Sequence, residues 1–195
     1  MKFNKILLAL PLVVLLAACQ SAPTTRLAYD QCFFPDAPEN EAPQWVCSAP
    51  VEGLVLQGVG YSPRLGSGMS MMTDSAAMDA RSQIANNFST FINSRMQQVM
   101  EEQTIDGESI SVANAERIQR SVSSMQLQHT RIYQTLASPA GGVYVLVGLN
   151  EEGYATNLNR LIEESEMTDD PALYQRFLIE EANRELDALR EDIAS

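Results

Sequence analysis

The run Val143-Tyr144-Val145-Leu146-Val147-Gly148-Leu149 decides the fold class of this chain. It is rich in β-branched and aromatic residues, carries no charge and directly follows a turn signal at residues 139–142. An apolar run of this length, bounded by turn signals, is typical of a strand that is buried on both faces. The sequence therefore predicts a central strand in a small sheet.

Two further segments predict strands for the same sheet. Residues 54–61 contain Gly58 and Gly60, which indicate a bulge or the close approach of another backbone. Residues 126–136 alternate loosely between apolar and polar side chains and come just before the turn. We therefore expect a mainly antiparallel sheet.

Helical periodicity accounts for the middle of the chain. A loop at residues 62–73 is predicted to end at Asp74, a good N-cap for a long helix with apolar residues every three or four positions. A second helix is expected from about Val112, after a turn at Asp106-Gly107. Residues 154–166 are also predicted to be helical.

The C-terminal segment predicts one more amphipathic helix. Asp169 or Asp170 would cap it, with Pro171 at its first position. Glu180 and Arg184 have the spacing of an ion pair on its solvent face. The predicted apolar stripe consists of Tyr174, Leu178, Ala182, Leu186, Leu189 and Ile193.

Together these elements predict an α+β fold, with helices packed on one face of a small, mainly antiparallel sheet and an additional C-terminal amphipathic helix. The expected organisation is a signal peptide at 1–18, a tether at 19–43, the α+β domain at 44–165 and an acidic helix at 166–195.

The N-terminus resembles the signal peptide of a bacterial lipoprotein. Lys2 and Lys5 precede an apolar run of 13 residues, too short to span the roughly 30 Å of a bilayer core. The run ends in Leu16-Ala17-Ala18-Cys19, which is similar to the lipobox. The resemblance implies a diacylglyceryl group and an acyl chain such as palmitate on Cys19, and two or more chains anchor a protein stably. Gln20 replaces the Asp that favours retention in the inner membrane, which implies an outer-membrane location, facing the periplasm or the cell surface.

The other two cysteines, Cys32 and Cys47, are expected to form a disulfide in that oxidising compartment. Their spacing differs from the C-x-x-C of redox-active pairs. We therefore predict a structural disulfide that stabilises the fold by about 3 kcal/mol. Residues 20–43 contain four prolines and no helical or strand periodicity, which favours a tether, with Cys32-Phe33-Phe34 expected to fold back onto the domain.

Composition limits the chemistry available to this chain. A net charge of −12 argues against nucleic-acid binding, which needs clustered cations. His129 is the single histidine, so a multi-histidine metal site is excluded, and we expect it to lie half-exposed on a strand.

Met69-Ser70-Met71-Met72 favours a flexible loop over a copper site, and Gly66-Ser67-Gly68 lacks the spacing of a phosphate cradle. Acidic pairs in residues 151–195 favour a solvated face, with divalent cations or a basic partner as the alternative. We therefore predict no catalytic residue, cofactor or metal.

Four segments resemble the LPP20 family of bacterial lipoproteins over residues 43–165. They are Pro43-Gln44-Trp45-Val46, Gly58-Val59-Gly60, Ala76-Ala77-Met78-Asp79-Ala80-Arg81-Ser82-Gln83-Ile84-Ala85 and Val143-Tyr144-Val145-Leu146-Val147. The family includes surface antigens and FlgP-like lipoproteins associated with the flagellum. The resemblance implies a non-enzymatic structural or assembly role and transfers no catalytic residues.

Packing gives plain roles to the residues of these segments. Trp45 is expected to anchor the edge between sheet and helix. Small side chains at Ala77 and Ala80 would let the helix approach the glycine-flanked strand, and Arg81 would bond an Asp or a carbonyl group.

The leading functional hypothesis is an envelope scaffold, held to the membrane by its lipid. Its partners would be other envelope proteins or further copies of itself, through exposed sheet edges or the C-terminal helix. The alternative is a periplasmic binding or trafficking module anchored to the outer membrane.

Overall fold

The computed structural model describes residues 31–106 and 112–194. The predicted signal peptide, Cys19, most of the predicted tether and Gly107 lie outside the described residues. The side chains of Arg184, Leu186, Leu189 and Ile193 lie outside them as well.

The described chain forms five strands and four α-helices. In chain order these are β1 (Phe33–Phe34), β2 (Ala37–Glu41), a 3-10 turn (Gln44–Cys47), β3 (Leu56–Ser62), α1 (Met69–Asp106), α2 (Val112–Ser124), β4 (Arg131–Ala137), β5 (Val143–Leu149), α3 (Glu151–Glu164), a second 3-10 turn (Met167–Asp169) and α4 (Pro171–Ala194).

The main sheet has the order β3-β5-β4, and both pairings are antiparallel. All seven residues of β5 are buried, as expected of the central strand. Val143, Val145 and Val147 pack on the side of α1, whereas Tyr144 and Leu146 pack on the opposite side. The prediction of an α+β fold is confirmed.

α1 lies directly on the backbone of β3. A Cβ atom built on Gly58 would lie 2.5 Å from the carbonyl oxygen of Ala80, and one built on Gly60 would overlap the carbonyl oxygen of Ala76. Glycine is therefore required at both positions, because the other atom in each contact belongs to the main chain of α1.

The start of α1 was predicted too late. The helix begins at Met69 and not at Asp74, so the methionine-rich segment is its first turn and not a loop. Gly68, with φ of 92°, precedes the helix and its carbonyl accepts from the backbone N–H of Met72 at 3.3 Å. The additional turn buries Met72 against the sheet, where it is 4% exposed, and this burial offsets the cost of ordering the turn.

A second core lies beyond the sheet. The C-terminal half of α1 packs there with α2, α3 and α4 around Phe88, Ile118, Leu161 and Phe177, each at most 1% exposed. α2 begins at Val112 as predicted.

The caps of the last two helices follow ordinary hydrogen-bond chemistry. α3 begins three residues earlier than predicted, because Asn150 accepts from the backbone N–H of Gly153 at 3.0 Å. The carboxylate of Asp170 accepts from the backbone N–H of Leu173 at 3.2 Å, so Asp170 and not Asp169 caps α4.

The predicted stripe on α4 was wrong by one position. Leu173 and Phe177 are buried, whereas Leu178 is 40% exposed and Ala182 is exposed. Two apolar series overlap on this helix: Leu173 and Phe177 enter the helical core, whereas Tyr174 of the predicted series packs against it only partly buried. Glu180, predicted to face solvent, instead lies 3.5 Å from the guanidinium of Arg95 on α1.

The strand predicted at residues 126–136 is shorter than expected, because β4 begins only at Arg131. Asn157, fully buried on α3, accepts from the backbone N–H of Gln128 and donates to its carbonyl, both at 2.9 Å. These bonds hold the segment against α3 instead of β5. His129 is exposed in a left-handed bend with φ of 61°, so its predicted place on a strand was wrong.

Candidate functional site

The most elaborate local structure lies on the sheet face opposite α1, where the described chain begins. Here the hairpin formed by β1 and β2, together with the first 3-10 turn, covers β5. The part of the predicted tether after Cys32 is therefore folded. The buried residues of this layer, which we call the N-terminal layer, are Cys32, Phe34, Ala37, Trp45 and Val46, packed on Tyr144 and Leu146.

Trp45 is 6% exposed within this layer. It contacts the face of the sheet that α1 leaves open, not the predicted edge between sheet and helix. The reason is topological. Alternate β5 side chains point to opposite faces, and α1 covers only one of them.

The predicted disulfide is present in the N-terminal layer. The sulfur atoms of Cys32 and Cys47 are 2.05 Å apart and the two Cα atoms 5.9 Å apart. The bond joins the start of the hairpin to the 3-10 turn that carries Trp45. A covalent link thus spans the two parts of the layer.

A carboxylate with three hydroxyl donors ties the same hairpin to the sheet. One oxygen of Asp36, Oδ2, accepts from Ser138 at 2.6 Å and from Tyr61 at 3.0 Å, while Oδ1 accepts from Tyr144 at 2.9 Å. We call these four residues the Asp36 cluster. It connects the β1–β2 turn, β3, β5 and the turn after β4, so four separate segments meet at one charge.

The rings of the cluster also pack on one another. The centroids of Tyr61 and Tyr144 are 4.7 Å apart, and those of Phe34 and Tyr144 are 5.7 Å apart. Tyr61 and Tyr144 are direct cross-strand partners in the β3–β5 register, which places both hydroxyl groups on one side.

The hydrogen bonds set the protonation of the cluster. Desolvation alone would raise the pKa of Asp36, but hydrogen bonds from Ser138, Tyr144 and Tyr61 outweigh it and hold the pKa below its usual value. Desolvation and the neighbouring carboxylate raise the pKa of both tyrosines. At neutral pH the cluster therefore contains an ionised acceptor and three hydroxyl donors, an arrangement suited to holding segments together.

Sequence reasoning missed the Asp36 cluster. Its members lie 25, 102 and 108 positions from Asp36 along the chain. The alternation of β3 and β5 could have suggested that the two tyrosines face each other. No local signal marked Asp36, because an acidic residue between prolines is ordinary in a surface segment.

On the other face of the sheet, Ala77 and Ala80 are at most 1% exposed. The guanidinium of Arg81 donates to the hydroxyl of Thr130 at 3.3 Å, which differs from the predicted Asp or carbonyl partner. This bond links α1 to the residue just before β4.

The remaining polar features are shallow or paired. Glu116, Gln119 and Arg120 line an open depression along α2. Arg117 on α2 pairs with Glu166 at 2.6 Å, so part of the acidic C-terminal charge is neutralised by arginine. Within residues 31–100 and 113–183, whose side chains the structure describes, no group of three His, Cys, Asp or Glu side chains is placed to hold a metal ion. Within residues 31–106 and 112–194, no helix has the length and apolar character needed to cross a bilayer.

Comparison with known proteins gives one family. The model of the LPP20 lipoprotein family matches residues 43–150, from the residue before the first 3-10 turn to the cap of α3. The match contains the whole three-stranded sheet and ends 15 residues before the end of the resemblance seen in the sequence. Curated proteins give no match to this chain.

Proposed function

The chain belongs to the LPP20 lipoprotein family, and we propose that it is an outer-membrane lipoprotein, lipidated at Cys19, with a structural role in the bacterial envelope. The family membership supports a lipid anchor in the envelope. Gln20 after the lipidated residue supports the outer-membrane location, and the construction of the N-terminal layer supports the structural role.

The observation that carries the structural role is the cross-linked start of the domain. The described chain begins just before Cys32, whose sulfur is bonded to Cys47, so a pull from a lipid on Cys19 would enter the fold at this disulfide. A pulling force on the chain before Cys32 is therefore carried by a covalent bond to the 3-10 turn, where Trp45 is buried. The two strands of the short hairpin do not have to separate first. A domain that transmits force between a membrane and an assembly needs such a junction.

The Asp36 cluster strengthens the same junction. Its carboxylate bonds to three hydroxyl groups on other segments, and charge-assisted hydrogen bonds are stronger than neutral ones. The pKa of Asp36 is lowered and that of Tyr144 is raised, so both lie further from pH 7 than in free side chains. A general acid or base, by contrast, works best with a pKa near the operating pH. This contrast supports a role for the cluster in holding segments together.

The anchor is tested by fractionating cells that produce the full chain or its Cys19→Ser variant. We expect the wild type to float with outer-membrane vesicles and the variant to be lost from that fraction. Cys47→Ser serves as the matched control, since it removes a cysteine but leaves the lipidated one. A Cys19→Ser protein that still floats with the outer membrane would overturn the proposal.

The structural role is tested in a deletion strain by envelope integrity and by swimming diameter in soft agar. Complementation by wild type but not by Cys19→Ser is expected if the domain must be held at the membrane. Normal swimming would retire a flagellar assignment and leave a general envelope role. Purification of the lipidated protein with a bound small ligand and no assembly would favour the binding-module alternative instead.

A further inference from the structure

The edge strand β4 is the least covered part of the sheet. Six of its seven residues are exposed, including Ile132 at 42% and Tyr133 at 43%. α1 packs on β3 and β5, and the N-terminal layer packs mainly on β5. Leu136 is the β4 side chain that packs, partly buried, against that layer, so most of both faces of β4 is exposed. Exposed apolar side chains on an edge strand are a liability unless a partner covers them.

The outer edge of β4 also carries unused backbone groups. The backbone N–H of Ser138 donates to the carbonyl of Gly142, its direct partner in the register, at 2.8 Å. Hydrogen-bonded and non-bonded pairs alternate along an antiparallel ladder. Leu136 therefore also bonds to β5, whereas Thr135 and Ala137 direct their N–H and C=O groups away from the sheet.

The opposite edge of the sheet is protected. On β3 the side-chain amide of Gln83 donates to the carbonyl of Val59 at 3.0 Å, and α1 lies across the strand at Gly58 and Gly60. On β4 a register shift between Ile132 and Gln134 shortens the regular part of the edge without covering it. The last four residues of β4 thus present a short regular template for another strand.

The charge around β4 suits a second copy of this chain. The protein has 25 acidic residues and a net charge of −12, so most of its surface repels another copy. Residues 117–150 contain no Asp or Glu, and β4 within them carries a single charge, on Arg131. A second copy meets least repulsion at this edge.

We propose that β4 pairs antiparallel with β4 of a second copy, forming one six-stranded sheet across the dimer. Antiparallel pairing places a two-fold axis perpendicular to the sheet, so both N-terminal layers lie on the same face. Both tethers can then reach one membrane. Parallel pairing would put them on opposite faces. This last argument rests on the proposed lipid anchor, whereas the hydrogen-bonding argument does not.

The pairing is tested in cells that produce the full chain with p-benzoylphenylalanine at position 133, where Tyr133 is exposed. Irradiation is expected to give a product of about twice the monomer mass, and mass spectrometry should locate the link near residues 135–139 of the second copy. The same photoreactive residue in place of Met78, which is 69% exposed on α1, is the control and should give no such product.

Two variants at one position test the mechanism. Thr135→Pro removes an outward N–H without removing a bond to β5, since proline is tolerated where the N–H of an edge strand faces solvent. Thr135→Val keeps the N–H and the β-branched shape. We expect the proline variant to reduce the crosslink about fivefold or more and the valine variant to change it less than about twofold. If the proline variant is degraded, Ile132→Lys replaces it, because it removes an exposed apolar side chain from the edge and would place a charge opposite the uncharged residues 136–140 of the second copy.

Three results would overturn the pairing: no dimeric product, a link from position 133 to a different protein, or a crosslink that Thr135→Pro and Ile132→Lys leave unchanged. None of these results alters the fractionation of Cys19→Ser. A failed anchor would in turn leave the crosslink of the soluble protein measurable, so failures of the two proposals are distinguishable.

Discussion

Replacing Gly60 with alanine is expected to push α1 away from the sheet. The new methyl carbon would overlap the carbonyl oxygen of Ala76 and lie 2.8 Å from two further backbone atoms, the carbonyl carbon of Ala76 and the nitrogen of Ala80. A flexible side chain could rotate away, but backbone atoms inside a helix cannot. Relief of the overlap therefore requires a shift of the whole helix by roughly 1 Å.

The size of the effect follows from what that shift exposes. Ala76, Ala80 and Ile84 are each 0% exposed against the sheet. A gap of 0.5–1 Å loses about a quarter to a half of the dispersion attraction of each contact. Overpacking typically costs about 1–3 kcal/mol, and this site lies at the upper end, so we expect the free energy of unfolding to fall by about 3 kcal/mol. For a chain of this length the melting temperature would fall by about 6–12 °C.

The assay is urea unfolding of the full chain with the disulfide oxidised, followed by circular dichroism. Gly58→Ala should lose less, about 1–3 kcal/mol, because one of its close neighbours is the side chain of Ile84 at 3.2 Å. Gly66→Ala is the matched control. No atom lies within 4 Å of its new methyl group, so the change should stay within about 0.5 kcal/mol. A Gly60→Ala protein as stable as the wild type would refute the close-approach argument.

Three further predictions concern the sites that join distant segments. Replacing Cys32 and Cys47 together with serine should lower the free energy of unfolding by about 3 kcal/mol in urea titrations. Asp36→Asn should lower it by about 1–2 kcal/mol at pH 7. Because the pKa of Asp36 is depressed in the folded protein, this difference should persist above the ordinary pKa of 3.8 and disappear as the pH falls through the folded value. Asn157→Ala should cost about 2 kcal/mol by thermal unfolding, since both backbone groups of Gln128 lose their partner.

Each of these has a matched comparison. Wild-type protein in reductant should have the same free energy of unfolding as the double serine variant. A difference between the two would contradict the stabilisation assigned to the disulfide. Glu41→Gln neutralises an exposed carboxylate of the same hairpin and should change the free energy of unfolding at pH 7 by no more than about 0.5 kcal/mol. Asn159→Ala, exposed on the same helix as Asn157, should be nearly neutral. An equal loss in Asn159→Ala would contradict the hydrogen-bonding argument, because alanine raises the helix propensity at both positions.

High pH should weaken the Asp36 cluster from the other side. The raised pKa values of Tyr61 and Tyr144 mean that the folded protein retains protons that the unfolded chain releases. The contribution of these protons to stability is complete below pH 10 and is lost as the pH rises through the folded values. Replacing both tyrosines with phenylalanine should reduce this loss of stability above pH 10 in urea titrations. An unchanged loss would show that the two tyrosines do not cause it.

The sequence by itself determined the elements whose signals are local. The run from Val143 to Leu149 predicted the central strand, the turn at residues 139–142 predicted its hairpin, and Val112 predicted the start of α2; the structure confirms all three. The disulfide was also predictable, because only two cysteines remain after Cys19. In each case the pattern depends on neighbours along the chain, and neighbours are what a sequence shows directly.

Only the tertiary structure decided which surfaces meet. Residues 33–41 carry proline and acidic side chains and lack a strand pattern, yet they form a hairpin because a disulfide and the open face of β5 hold them there. α1 gains a first turn because Met72 can be buried, and α4 presents Phe177 and not Leu178 because of the shape of the helical core. The Asp36 cluster combines residues more than 100 positions apart. Periodicity gives each segment an apolar face, but the choice among competing partners depends on packing energies between segments that are distant in sequence and close only after folding.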